Sequence, residues 1–328
     1  MSSKKNKNAK AHIYGQKNKP FLEEKNKMLK LYMVHSEVGS QQVTTLLRFK
    51  KLEHEKVSID ITKPRPDWYY AMMPSGLAPC LSTKEGSTLY DPVVILEFLE
   101  ERYPGPKYPS AWPSDPLRKA NARRLIRIAD EFYAALNAIV LNQIESDRES
   151  LLQAYLSIWR RIDDFLIRHN PKGTFLFDDV GSGGFGLPEI VFTPMFETNW
   201  LVEYYEDFQV PDTLEYARVM KWRDACLNHN MSSVVCKEEI SKLWYDAAKG
   251  VPMGEPNPDT TRQYSSYAME PHWTSRPMPN KDKYNYSCTD DELGLIPKVS
   301  SARHSPMPSP NVPRGGVSPI PINQLNLQ

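Results

Sequence analysis

The chain has 328 residues, enough for two domains, and its 40% hydrophobic and 25% charged residues are ordinary for a globular protein. The formal charge of +1 is unevenly distributed: residues 1–30 hold nine lysines against two acids, residues 251–328 hold seven of each sign, and the stretch between them carries −6. An acidic body argues against a nucleic-acid-binding surface, because such a surface needs a basic face. No window approaches the roughly 18 uninterrupted apolar residues of a membrane helix.

The cysteines are few, and none of their spacings forms a CxxC pair or a zinc motif, so neither a disulfide framework nor a metal site is indicated. They are Cys80, Cys226, Cys236 and Cys288. The first 20 residues lack both the apolar core of a signal peptide and the arginine-rich pattern of a transit peptide. We therefore expect a reduced, cytoplasmic protein with no metal, no bound nucleic acid and no membrane insertion.

Composition divides the chain into a basic N-terminal extension, a patterned middle and a proline-rich tail. Residues 1–28 are rich in Lys and Asn and are predicted to be disordered, or ordered only by a partner. Residues 251–328 contain 13 prolines, which is typical of an extended segment. Two interpretations of this tail stay open, a solvated segment or a strap laid across a partner. The second is suggested by its interleaved aromatic residues, Tyr264, Tyr267, Trp273, Tyr284 and Tyr286.

The first half of the middle region alternates strand and helix patterns. The apolar run at 29–34 predicts a buried strand, whereas 57–61 alternates with period two and predicts a second strand. Asp91-Pro92 is a good helix start, since Asp caps well and Pro suits the first helical position. The predicted order is strands at 29–34, 57–61, 78–81 and 87–90, with helices at 40–50, 66–73 and from 92 onward. This βαβαββα order is thioredoxin-like.

Beyond a linker at 105–114 the patterns are helical throughout. Apolar residues recur at spacings of three and four, as on the buried face of a helix. The predicted helices span 115–142, 148–169, 187–205, 212–228 and 237–249. Five helices with short connections predict an all-α domain. The fold class is therefore α/β plus all-α, with long irregular tails.

Two segments carry a family resemblance. PDWYYAMMPSGLAPCL at 66–81 resembles P-x-W-[FY]-x-x-x-N-P-x-G-x-V-P-x-L, and LYDPVVILEFL at 89–99 resembles L-x-E-S-x-x-I-x-x-Y-L. Both patterns are typical of the soluble glutathione S-transferase superfamily, and the style is closest to its omega class. The phrase His35-Ser36 followed by 40–43 is also similar to the ganglioside-induced differentiation-associated proteins. The resemblance implies a thioredoxin-like domain at 29–104, a linker at 105–114 and an all-helical domain at 115–250.

The resemblance also implies a glutathione site. It makes Pro79 a cis-proline and gives Ala78 the backbone groups that pair with the cysteinyl part of glutathione. The same cis-proline shapes this turn in members that bind no substrate, so a structural role stays open. Asp91 would face the amino group of the ligand.

Pro92 departs from the family pattern, because it replaces a serine and removes both a hydroxyl and a backbone N–H. Losing two charge-assisted hydrogen bonds predicts an affinity for glutathione that is weakened by roughly two to four powers of ten. The alternative interpretation is that Asp91-Pro92 is simply a helix start.

The residue that activates the thiol in this family is Tyr, Ser or Cys. Counting six residues back from Val43, as in the Ser- and Cys-type members, gives Glu37, whose charge opposes thiolate formation. Ser36 is one residue away and is the candidate catalytic residue if the loop carries a one-residue insertion. Tyr32 and Cys80 are expected to be packed in strands.

Two functions remain open at this point. In the first, the protein binds glutathione weakly and conjugates it to an electrophile, with Ser36 donating a hydrogen bond to the thiolate. In the second, it is a catalytically inactive transferase fold that serves as a structural subunit of a larger assembly, with residues 1–28 and 251–328 binding the partners. The family also implies a homodimer. Arg123, Arg124 and Arg127 are candidates for contacting a carboxylate or a partner, or else a solvated helix face.

Overall fold

The computed structural model describes residues 28–59, 65–142, 144–181, 183–232 and 236–248, together with two short strands at 269–270 and 296–297. The predictions for 1–28 and for most of 251–328 therefore lie outside the described residues. Within the tail, Met269–Glu270 (β5) pairs antiparallel with Ile296–Pro297 (β6).

A four-stranded mixed sheet forms the first domain. Its strands are β1 (Leu29–Met33), β2 (His54–Ser58), β3 (Cys80–Ser82) and β4 (Thr88–Tyr90). Their order across the sheet is β2-β1-β3-β4, with β1 and β2 parallel and the other pairs antiparallel. Three helices accompany the sheet, α1 (Val38–Phe49), α2 (Asp67–Met72) and α3 (Pro92–Arg102).

The second domain is helical. It contains α4 (Pro116–Leu141), α5 (Arg148–His169), α6 (Leu187–Thr198), α7 (Trp200–Tyr205), α8 (Ala217–Leu227) and α9 (Lys237–Ala248), with a short 3₁₀ turn at Glu145–Asp147. The predicted fold class is confirmed: a thioredoxin-like domain is followed by a helical one.

The predicted position of the second strand was wrong. β2 runs from His54 to Ser58 instead of over 57–61, because it pairs in register with the whole of β1. β2 is an edge strand, and its first three residues are mainly exposed and polar. An edge strand of this kind carries little of the hydrophobic alternation on which the prediction relied.

Two helix boundaries in the second domain were also wrong. The predicted helix at 187–205 is divided at Asn199, whose side-chain oxygen accepts a hydrogen bond from Tyr155 at 2.7 Å. The helix predicted from 212 begins only at Ala217. There the carboxylate of Asp163, on α5, accepts a hydrogen bond from the Val219 amide at 2.7 Å and so satisfies a free N–H of the first turn.

The two domains share one hydrophobic core. The main cluster of buried side chains runs from Leu46 on α1 to Phe192 on α6 and Trp222 on α8. A buried hydrogen bond also joins the domains, from Gln42 Nε2 to the carbonyl of Val191 at 2.9 Å. This junction fixes the N-terminus of α1 against the helical domain, where the cleft lies.

A buried ion pair holds the linker between the domains. Lys50 Nζ lies 3.0 Å from Glu100 Oε1, and both side chains are almost fully buried. The ammonium group also donates to the carbonyls of Tyr103 and Pro109, while Glu100 accepts from the Ala111 amide at 3.1 Å. All the polar contacts that a buried pair requires are therefore supplied by the linker and its neighbours.

Candidate functional site

A cleft of about 290 Å³ lies between the two domains. The N-termini of α1 and α3 form one wall, and α4 and α6 form the other. The lining residues are Glu37, Val38, Gly39, Gln42, Asp91, Pro92, Val93, Asp130, Tyr133, Ala134, Asn137, Val191 and Met195. Two helix N-termini facing one cavity would suit an anionic ligand if their amides were free.

The N-terminus of α1 is capped by its own glutamate. Glu37 accepts hydrogen bonds from the amides of Gly39 at 2.9 Å and Ser40 at 2.6 Å. Burial raises the pKa of this carboxyl above its usual value, and the hydrogen bonds from Ser40 and Gly39 oppose that rise. Glu37 therefore occupies the donors that an anionic ligand would need at this end of the cleft.

The N-terminus of α3 is capped in the same manner. Asp91 Oδ1 accepts from the Val94 amide at 3.1 Å, and Pro92 at the first helical position has no N–H. The backbone of Asp91 has a φ of 72°, a region that non-glycine residues seldom adopt and that costs about 1–3 kcal/mol. In this strained conformation the Asp91 carboxylate lies at the edge of the cleft.

Pro92 and Pro79 pack closely on the start of α1. A Cβ added to residue 39 would lie 2.4 Å from Pro92 Cγ and 3.2 Å from Pro79 Cδ, so that this position requires glycine. The Ala78–Pro79 peptide bond is cis. The structure therefore brings Pro79, Pro92 and Glu37 together around Gly39.

Carboxylates dominate the charge of the cleft. Glu37, Asp91 and Asp130 are among its lining residues, and none of the lining residues in the described part of the chain is Lys, Arg or His. Arg127 pairs with Asp130 at 3.1 Å, but its side chain is 82% exposed. The cleft thus favours cationic over anionic groups.

Tyr133 on α4 presents a phenol group to the cleft near Glu37. Burial raises its pKa, the charge of Glu37 raises it further, and hydrogen bonding with Asn137 opposes these effects. The phenol is therefore protonated at neutral pH, so it is suited to donate a hydrogen bond and not to act as a base.

Ser36 and Ala78 lie beside the cleft and not among its lining residues. The Ser36 hydroxyl is buried and has no hydrogen-bond partner among the described residues. Ala78 is partly buried and packs against a small cluster that contains Tyr69 and Cys80. Of the four predicted site residues, Asp91 lines the cavity, and Pro79 reaches it through its contact with Gly39.

The strand residues are packed, as expected. Tyr32 contacts the rings of Trp68 and Tyr69, at centroid distances of 5.8 and 6.1 Å. Cys80 is fully buried, and burial raises the pKa of its thiol to about 12, which makes it an inert group.

The arginines of α4 have partners within the chain. Arg123 binds Glu97 with two hydrogen bonds, of 2.9 and 3.1 Å. Arg127 binds Asp130, as described above, and Arg124 lies over the ring of Phe165. In this structure they serve mainly the packing and charge balance of α4.

Sequence reasoning missed the α4 wall of the cleft. Asp130, Tyr133, Ala134 and Asn137 follow one another at helical spacing, immediately beside the buried stripe that includes Phe132. The signal in the sequence that could have identified this wall is a mostly polar stripe of α4 that lies beside its buried stripe.

The described residues offer no site for a metal, since no three of their His, Cys, Asp or Glu side chains converge. None of the described helices combines the length and the apolar character needed to cross a bilayer.

Comparison with known proteins identifies the family. The N-terminal domain model of glutathione S-transferases matches residues 40–102. The glutathione S-transferase omega-1 of Sus scrofa is 24% identical over 170 residues, which is 52% of this chain and 66% of that protein. Together these matches support a soluble member of the glutathione S-transferase superfamily that is omega-like.

Two further proteins of this superfamily are also similar to the chain. The maleylacetoacetate isomerase of Pseudomonas aeruginosa is 32% identical over 133 residues, 38% of this chain and 61% of that one. A rice glutathione transferase, solved in complex with glutathione, is similar in fold with a TM-score of 0.57 at 19% identity, covering 68% of this chain and 97% of that one. The two alignments with the curated relatives span no more than about two thirds of the relatives' length.

Proposed function

We propose that this protein is a catalytically inactive transferase fold that binds glutathione weakly and serves as an interaction subunit in the cytoplasm. One observation carries the proposal: both helix N-termini that face the cleft are capped by carboxylates of the chain itself, Glu37 and Asp91. A transferase needs those donors for its anionic ligand and for the developing thiolate.

The α1 end argues against thiol activation. A thiolate near Glu37 would face a carboxylate instead of a hydrogen-bond donor, and a like charge raises the pKa of a thiol. The amides of Gly39 and Ser40 are already bonded to Glu37, at 2.9 and 2.6 Å. The site therefore lacks the electrostatic support that lowers the pKa of a thiol.

The α3 end argues for weak binding. Glutathione carries two carboxylates and one ammonium group. In this proposal Asp91 receives the ammonium group, whereas Pro92 supplies neither a hydroxyl nor an amide for the neighbouring carboxylate. The backbone of Ala78 remains the candidate partner for the cysteinyl part, with Pro79 shaping the turn.

The interaction role rests on the two terminal segments, residues 1–28 and 251–328. Residues 1–28 hold eight lysines against two acids, and residues 251–328 combine 13 prolines with five interleaved aromatic residues. Segments of this kind suit extended contacts with a partner. Native mass measurement in a lysate checks this part of the proposal: co-migration with a large complex supports it, whereas a free homodimer near twice the chain mass contradicts it.

A specific observation favours one alternative, glutathione conjugation with Ser36 as the catalytic residue. Its buried hydroxyl has no partner among the described residues, so it remains available to donate to a thiolate. The measurement is the turnover of glutathione with 1-chloro-2,4-dinitrobenzene by the wild type and by Ser36→Ala. Activity that depends on Ser36 supports this alternative and contradicts the inactive fold. A wild type with no activity above the uncatalysed rate supports the inactive fold and contradicts this alternative.

The binding proposal is tested by restoring the missing donors. Pro92→Ser returns a hydroxyl and an amide to the start of α3, so we expect glutathione to bind at least tenfold more tightly in isothermal titration, since each charge-assisted hydrogen bond contributes about 1.5–3 kcal/mol. Pro116→Ser is the matched control, because Asp115-Pro116 begins α4 in the same way. Equal affinities in the wild type and Pro92→Ser would contradict the proposed role of Pro92.

A further inference from the structure

A second concavity lies outside the cleft, where the turn between β3 and β4, the end of α3 and the linker meet. Its volume is about 450 Å³, which is within the usual range of small-molecule sites. Its walls are formed by Lys84, Arg102, Tyr103, Pro104, Gly105, Lys107 and Tyr108. None of these residues belongs to the cleft described above.

The charge of this pocket is opposite to that of its surroundings. It has three cationic side chains, in a region of the chain (31–250) whose net charge is −6. Arg102 donates to Glu85 at 3.1 Å, whereas Lys84 and Lys107 form no ion pair within the part of the chain that the structure describes. Among the described residues, two positive charges are therefore left without a carboxylate.

The cationic groups stand beside two aromatic rings. Tyr103 and Tyr108 pack edge to face, with centroids 5.2 Å apart. The guanidinium of Arg102 lies 5.8 Å from the Tyr103 ring and the ammonium of Lys107 lies 5.3 Å from the Tyr108 ring. The pocket thus presents apolar ring surface and positive charge side by side.

The buried Lys50–Glu100 ion pair holds one wall of the pocket in place. Lys50 donates to the carbonyl of Tyr103 at 3.0 Å while it pairs with Glu100. Tyr103 itself is buried. A wall held by such contacts loses little conformational freedom when a ligand binds.

We propose that this pocket binds a small ligand that carries an anionic group, a phosphate or a carboxylate, on an aromatic ring. The anion contacts Lys84 and Lys107, and the ring lies against Tyr108 and Pro104. Glu85 remains paired with Arg102, so this carboxylate does not compete with the ligand for the two lysines.

Isothermal titration of the full chain with phenyl phosphate, benzoate, inorganic phosphate and phenol tests the proposal. The variant Lys84→Gln with Lys107→Gln removes the two charges, and Lys56→Gln with Lys172→Gln removes the same charge from exposed positions elsewhere. All four lysines are exposed, so the melting temperatures of both variants should match that of the wild type.

We expect phenyl phosphate or benzoate to bind the wild type and the control variant equally, and the pocket variant at least tenfold more weakly. The tighter of these two ligands identifies the anionic group. Inorganic phosphate should bind more weakly than phenyl phosphate, and phenol should give no heat. The proposal is overturned if neither ring-bearing anion binds at about 10 mM, a concentration well above the dissociation constant of a specific site. It is also overturned if the pocket variant binds these anions as tightly as the wild type does, or if inorganic phosphate binds as tightly as phenyl phosphate.

Discussion

Lys50 shows how one residue can hold the linker between the domains in place. Its ammonium group forms an ion pair with Glu100 and donates to the carbonyls of Tyr103 and Pro109, and the side chains of Lys50 and Glu100 are almost fully buried. Removing one member of such a group leaves the other charged and unsatisfied, which is far more costly than losing an exposed pair.

We therefore predict that Lys50→Met lowers the free energy of unfolding by about 3–5 kcal/mol, as measured by urea denaturation. Lys30→Met is the control, because its pair with Glu55 is one-third to one-half exposed and should contribute less than about 1 kcal/mol. Similar losses of unfolding free energy in the two variants would show that burial does not increase the contribution of the Lys50–Glu100 pair.

Single residues were also where sequence reasoning was least complete. The sequence identified Glu37 as a carboxylate where the family has an activating group, and the structure adds that it caps α1. Tyr133 was not among the predicted site residues. Its place in the cleft depends on which face of α4 turns toward α1, and that is decided by packing between distant elements.

At the scale of elements, the carboxylate of Asp178 organises the first part of the loop that precedes α6. Asp178 Oδ1 accepts from the amides of Thr174 and Phe175, each at 3.0 Å, and Oδ2 accepts from Asn170 Nδ2 at the same distance. Burial acts to raise its pKa, but these hydrogen bonds outweigh burial, so the pKa lies below the usual value.

The sign of this shift predicts a pH dependence. A carboxyl with a lowered pKa in the folded state stabilises the fold above its unfolded pKa of about 3.9, and that stabilisation is lost as the pH falls through the folded pKa. Asp178→Asn should therefore cost roughly 1 kcal/mol at pH 7, as for other capping carboxylates, and progressively less below about pH 4.

Thermal or urea unfolding across pH 2.5–7 (roughly the range in which carboxyls titrate) measures this difference. Asp212→Asn, at an exposed position, serves as the control and should leave the curve unchanged. A difference between Asp178→Asn and the wild type that stays constant down to the lowest pH would contradict the assigned role of Asp178.

Element types could be predicted from the sequence, whereas several boundaries could not. α3 begins where Asp91-Pro92 predicted, because the cap and the proline are local signals, and α4 begins within one residue of its predicted start at 115. β2 and α8 were misplaced because their limits are set by partners far along the chain, β1 for the strand and Asp163 for the helix.

At the scale of the whole molecule, the shared core predicts one cooperative unit. Side chains of both domains belong to the same buried cluster, and the hydrogen bond from Gln42 to Val191 crosses the junction. We expect tryptophan fluorescence and far-ultraviolet circular dichroism to report the same urea midpoint.

Gln42→Ala should lower that common midpoint, since it removes a buried hydrogen bond across the junction that contributes about 0.5–1.5 kcal/mol. Gln153→Ala, on the exposed side of α5, should have little effect. Two separated transitions in the wild type would show that the domains unfold independently.

The family and the two-domain plan could be read from local motifs, because the segment at 66–81 and the Asp-Pro helix start lie within short stretches of chain. The function could not, because it depends on where carboxylates and helix ends meet in space. In this protein the carboxylates of Glu37 and Asp91 cap the N-termini of α1 and α3, the two helix N-termini that face the cleft.

The most direct measurement is the affinity of glutathione for the double variant Glu37→Ala, Pro92→Ser, compared with the double control Asp115→Ala, Pro116→Ser at the start of α4. We predict that freeing the amides of α1 and restoring those of α3 tightens binding about a hundredfold, or roughly 2.7 kcal/mol, while the control matches the weakly binding wild type. A wild type that already binds glutathione at micromolar concentration, or a double variant with no gain, would contradict the claim that these caps weaken binding.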